Sequence, residues 1–68
     1  MITIEIGLRI RERRKKLGIS QEKLAELADI DRTYLASVEN GRRNISVKNL
    51  EKIIRALGCT FEDFFSGM

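Results

Sequence analysis

Residues 31–44 read DRTYLASVENGRRN, and their side chains divide sharply by type. At about 100° per residue, Leu35 and Val38 fall on one side of a helix, and Arg32, Thr33, Ala36 and Ser37 fall together on the other. A face exposed only to water would more usually carry long Glu and Lys, which are good helix formers. Here the face is short or hydrogen-bonding apart from one Arg near the start. Small side chains let a helix backbone approach another surface closely. An Arg in that setting can grip guanine O6 and N7 with two hydrogen bonds, Thr and Ser can meet either polar base edge, and an Ala or Thr methyl can meet a thymine methyl. The bland alternative is a solvated Arg among inert spacers.

Other chemistries find little support. The chain has no His and a single Cys, so Cys59 lacks a base partner and an intramolecular disulfide partner, and the spacing of a Cys/His metal site is absent. No glycine loop suits a phosphate cradle. No catalytic role, metal, cofactor or small-molecule ligand is expected. The charge points elsewhere: 13 Lys and Arg stand against 10 acidic residues, for a net charge of +3. Arg9, Arg11, Arg13, Arg14, Lys15 and Lys16 crowd the first third, while the last ten residues carry only Glu62 and Asp63 as charges. A polyanion such as nucleic acid suits that imbalance, with a solvated charged face as the plain alternative. The cysteine usage fits a reducing cytosol. No signal-like apolar region follows Met1, and no run approaches the roughly 20 apolar residues of a membrane-spanning helix.

The elements that must position these side chains are all helical. The 68 residues make one small domain, residues 1–68, and a chain this short buries only about 60% of its unfolded surface, so stability should be modest. There is no Pro, and most glycines fall where helices should stop. The first helix is expected from about Ile4 to Leu17, ending at Gly18. The second starts after Ser20, with Leu24 and Ala28 on its inner stripe and Ala25 and Leu27 beside them. Asp31 opens the third helix and Asn40-Gly41 closes it. Ser46 opens the fourth, whose Val47, Leu50, Ile53, Ile54 and Leu57 form a broad apolar stripe. Thr60 and Asp63 approximate a capping box for a short last helix, TFEDFFSG.

A helix from Gln21 to Ala28, a short turn, and a second helix form the layout in which the first crosses a phosphate backbone and the second enters the major groove. The unit QEKLAELADIDRTYLASVEN places apolar residues at Leu24, Ala28, Ile30, Leu35 and Val38, with small Ala25 at the crossing. With IGLRIRERRKKLGISQEKLAELADID before it, and VENGRRN and SVKNLEKIIRALG after, the chain resembles the Cro/C1-type helix-turn-helix regulators over nearly its whole length. DRTYLASVENGRRNIS is most similar to the controller proteins of restriction-modification systems, with phage repressors and antitoxins as alternatives on the same scaffold. The resemblance implies an all-α, five-helix, lambda-repressor-like domain whose helix-turn-helix spans about residues 21–40. It implies a homodimeric transcriptional regulator on a palindromic, double-stranded operator. A protein-interaction module that had lost DNA binding is the reading from another class, and the basic residues around the third helix argue against it.

Roles follow position by position from the resemblance. Gln21 matches a phosphate-binding position that also props the recognition side chains. Arg32, Thr33 and Ser37 match groove-facing positions, and Tyr34 matches one that contacts the backbone or a neighbouring base step, or else packs. Arg42, Arg43 and Asn44 lie in the loop expected along the phosphates. Arg14 and Glu39 match a structural pair between the first helix and the recognition helix. Two departures stand out. Asp29 occupies a turn position commonly held by Gly, which Asp can fill at tolerable cost. Arg13 interrupts the stripe of Ile6, Ile10 and Leu17, so either its stem snorkels over the core or the first helix rotates to favour Leu17. At the other end, Phe64 is expected in the core, Cys59 as a small core hydrophobe, and Phe61, Phe65 and Met68 in a two-fold interface. The cationic parts should then face DNA, away from that aromatic end. Activation would require a contact with RNA polymerase, and no residue marks that patch.

Overall fold

The computed structural model describes residues 1–68 and contains five α-helices: α1 (Ile2–Lys16), α2 (Gln21–Ala28), α3 (Arg32–Glu39), α4 (Val47–Leu57) and α5 (Phe61–Phe65). The starts of the last four are fixed by side chains. Ser20, Asp31, Ser46 and Thr60 each accept a hydrogen bond from the backbone N–H three residues on, at 3.0–3.1 Å. These satisfy donors that a helix start otherwise leaves orphaned. At Thr60 the bond to the Asp63 N–H supplies the Thr half of the expected capping box.

The stops share one device as well. The chain turns left-handed at Gly18, Asp29, Gly41 and Gly58. In each case the next residue's N–H reaches back to the carbonyl five positions earlier: Ile19 to Arg14, Ile30 to Ala25, Arg42 to Ser37, and Cys59 to Ile54. This doubled return closes a helix and reverses the chain sharply. Asp29, at φ 56°, is the only non-glycine residue with positive φ, so the departure noted in the sequence is absorbed as expected.

Ile10, Leu24, Leu35, Ile53 and Phe64 lose all their exposure and fill the core, with Val38 and Ile54 nearly so. The small Ala25 and Ala28 bring α2 close to its neighbours, and α4 contributes Leu50, Ile53, Ile54 and Leu57 as its buried stripe. Cys59 packs half-buried against the core. Gly7 lies inside α1 rather than at a helix end. A Cβ there would overlap the Val38 carbonyl oxygen and sit 3.0 Å from that of Glu39. Its missing side chain is what lets α1 cross the C-terminal turn of α3.

Several expectations for the apolar stripes require correction. Leu17 and Leu27 are each 52% exposed, and Val47 is 77% exposed. Leu17 is the C-cap of α1, where the chain is already turning, and Val47 is the first residue of α4, beyond the edge of the core. Leu27 lies on the outer side of α2, away from buried Leu24 and Ala28. Leu17 therefore does not take over from Arg13. Arg13 is half-buried, and its Nη2 donates to the Asp63 carbonyl at 2.7 Å while Arg9 Nη1 donates to the Ser66 carbonyl at 2.6 Å. Cations at the C-terminal end of a helix meet its carbonyls favourably. The basic crowd of α1 is thus divided, and two of its arginines serve the aromatic end, where a near-absence of positive charge was expected. No helix is long and apolar enough to cross a membrane.

Candidate nucleic-acid interface

The outward side of α3 is set by what its inward side holds. Leu35, Val38 and Glu39 are buried, which leaves Arg32 and Thr33 exposed and Ala36 and Ser37 half-exposed. Arg32 Nη1 lies 3.5 Å from Glu22 Oε2, with the two side chains 64% and 76% exposed. Such a pair is well screened by water and contributes little, so the guanidinium is readily given up to a stronger partner.

Beneath this face, one carboxylate ties three helices together. Glu39 is 3% exposed. Its Oε2 accepts from Arg14 Nε at 2.9 Å and its Oε1 from Arg14 Nη2 at 3.0 Å, the two-bond fork that suits a guanidinium and a carboxylate. Arg14 Nη1 donates to the Ile19 carbonyl at 3.0 Å, and Gln21 Nε2 donates to Glu39 Oε1 at 3.1 Å. The Arg14–Glu39 pair expected from the sequence is present. Gln21 belongs to the same clasp, which fixes the start of α2 against the end of α3 and leaves the second amide hydrogen of Gln21 available.

Tyr34 is half-buried and joins α3 to α4: its Oη accepts from Asn49 Nδ2 at 3.2 Å. Arg43 lies over the same ring, its Cζ 5.1 Å from the centroid, within range of a cation–π attraction. Arg42, Arg43 and Asn44 are all exposed. Asn44 Oδ1 accepts from Thr3 Oγ1 at 2.7 Å, which anchors the loop to the start of α1. The sequence reading missed Asn49 and Thr3. Neither had a signal there, because Asn49 is 15 positions from Tyr34, Thr3 is 41 from Asn44, and only folding pairs them.

At the aromatic end, Phe61 and Met68 are each 41% exposed, while Phe64 is fully buried. Phe65 is half-buried and meets Phe64 edge-on, ring centroids 5.0 Å apart at 79°. Met68 also lines an open groove of about 250 Å³ with Glu5, Leu8, Arg9, Glu12 and Gly67.

The helix-turn-helix family model matches residues 10–64, which takes in α2, α3 and α4 entirely. The control protein C.MunI of Mycoplasma sp is 48% identical over 66 residues, covering 96% of this chain and 89% of that protein. The chain belongs to the helix-turn-helix family, in its restriction-modification controller group. Solved controllers superpose closely on this one. The restriction-modification controller C.AhdI from Aeromonas hydrophila has a TM-score of 0.88 at 41% identity, covering 93% of this chain and 96% of that one. The controller C.Esp1396I, solved as a tetramer with its natural 35 base-pair operator, has a TM-score of 0.91 at 32% identity, covering 96% and 86%. The resemblance drawn from DRTYLASVENGRRNIS thus holds at the level of the group, and the five-helix architecture holds with it. Thr3, Arg9 and Met68 lie outside the residues that the family model matches.

Proposed function

We propose that residues 1–68 act as one DNA-binding domain that pairs as a homodimer on an inverted-repeat operator and regulates the operon of a restriction-modification system. The observation that carries this reading is the outward face of α3, where exposed Arg32 and Thr33 stand above the Arg14–Glu39–Gln21 clasp. The operator complex of C.Esp1396I, whose fold this chain shares, supports it.

On this reading α3 enters the major groove, and Arg32, Thr33 and Ser37 meet base edges. Gln21 offers its remaining amide hydrogen to a phosphate from the start of α2, next to the positive end of the helix. Tyr34, Arg42, Arg43 and Asn44 follow the backbone beside the groove. Phe61, Phe65 and Met68 meet their copies across a two-fold axis, which sets the two recognition helices about one helical turn apart, ~34 Å. Transcriptional activation by the bound dimer requires a contact with RNA polymerase beside the operator. Footprinting on the DNA immediately upstream of the gene tests the whole proposal. Two protected half-sites related by inverted symmetry are expected, and binding should weaken steeply with salt. Equal affinity for that DNA and a scrambled duplex at moderate salt would overturn it.

A further inference from the structure

Asn49 stands on the first turn of α4, outside the helix-turn-helix unit, yet its only side-chain hydrogen bond runs to the recognition helix. The direction of that bond matters. Asn49 Nδ2 donates and the Tyr34 hydroxyl oxygen accepts, at 3.2 Å. A phenol has one proton to give, and no group in the chain takes the one on Tyr34. The proton is therefore left pointing away from Asn49. The same bond holds the ring on which Arg43 rests, 5.1 Å from the centroid. The residue thus sets two features at once: the polarity of the Tyr34 hydroxyl and the position of the surface beneath Arg43.

We propose that Asn49 is a positioning residue for DNA binding, which acts by keeping the Tyr34 hydroxyl a donor toward a backbone phosphate oxygen and its ring a fixed support for Arg43. This inference rests on the DNA-binding reading above. Its chemistry follows from the two partners: phosphate oxygens only accept, so a tyrosine beside them contributes only when its proton is free. An amide that turns its NH₂ to the phenol, as Asn49 does here, leaves that proton free. A carboxylate in the same place does the opposite, because it accepts the phenol proton and turns it inward.

Asn49→Asp separates this role from plain structural support. Position 49 is the third residue of α4, behind its N-cap Ser46, where a carboxylate favours the helix. The variant should fold at least as stably as the parent in thermal melts. Its DNA binding should nevertheless fall, on cognate and scrambled duplex alike, because a phosphate contact is lost and no base contact. Tyr34→Phe in the parent should weaken binding roughly two- to tenfold, the range of one hydrogen bond. In the Asn49→Asp background, the added Tyr34→Phe should cost almost nothing further, since the proton is already withdrawn.

That non-additivity is the decisive readout. Simple repulsion between the new carboxylate and DNA also weakens binding, but it leaves the effect of Tyr34→Phe undiminished. The inference is overturned if Tyr34→Phe costs as much beside Asp as beside Asn, or costs nothing in the parent. Asn49→Ala, which neither donates nor accepts, should fall between parent and Asn49→Asp because the freed hydroxyl can still turn outward. A loss equal to that of Asn49→Asp would contradict the inference. The parent's own preference for upstream over scrambled duplex is measured in the same titrations. If that preference is absent, the functional reading fails; if it is present and the cycle is additive, only the role of Asn49 fails.

Discussion

Arg32 and Glu39 carry opposite burdens within one helix. Arg32 is held only by a screened contact to Glu22 at 3.5 Å, so it contributes little to the fold and can be removed without harming it. Arg32→Ala should leave the melting curve unchanged yet relax base preference at one position in each half-site, at a cost of about 1–3 kcal/mol. Competition binding with point-substituted operators measures this, and a uniform loss on all sequences would refute a base-reading role. Glu39 is the reverse, because removing it leaves the Arg14 side chain, only 11% exposed, without its counter-charge. Glu39→Ala should cost about 3–5 kcal/mol in urea unfolding, a large share of a small domain's stability. The result to look for is loss of folding first, with loss of DNA binding following from it.

At the scale of elements, the positions of α1 and α2 depend on two backbone details. Gly7 lets α1 lie against the carbonyls of Val38 and Glu39. Gly7→Ala should force the helices apart and destabilise the fold by about 1–3 kcal/mol, despite the better helix propensity of Ala. A stability gain would mean that the crossing is looser than it stands here. Asp29 closes α2 in a left-handed conformation and sets a negative charge at the negative end of that helix. Asp29→Gly relieves both, and the urea midpoint should rise by the equivalent of about 0.5–1 kcal/mol with no change in slope. The helix boundaries themselves were legible from Ser20, Asp31, Ser46, Thr60 and the glycines, because caps act locally. Exposure of Leu17, Leu27 and Val47 was not legible, because apolar character does not reveal where the neighbouring helix ends.

For the whole molecule, a chain this short has limited core, and association is a natural source of added stability. Phe61 leaves 41% of its surface uncovered beside the half-buried Phe65. Phe61→Glu should leave the monomer fold intact while shifting sedimentation toward monomer and abolishing any rise of melting temperature with protein concentration. An unchanged dimer would place the two-fold contact elsewhere. Arg9 and Arg13 anchor α5 to α1 through the carbonyls of Ser66 and Asp63, so the aromatic end is oriented by the same helix that holds Glu39.

The sequence alone determined the helical class, the caps, the central stripe of α4, the helix-turn-helix and the separation of Arg32 and Thr33 from Leu35 and Val38. All of these arise from periodicity or from hydrogen bonds spanning a few residues. Tertiary structure decided which partner each polar side chain takes. It sent Arg13 to Asp63, joined Gln21 to Glu39, and placed Asn49 behind Tyr34 and Thr3 beside Asn44. Those pairings join residues 15–50 positions apart in the chain. No local pattern encodes them; they exist only once the shared core has fixed how the helices cross.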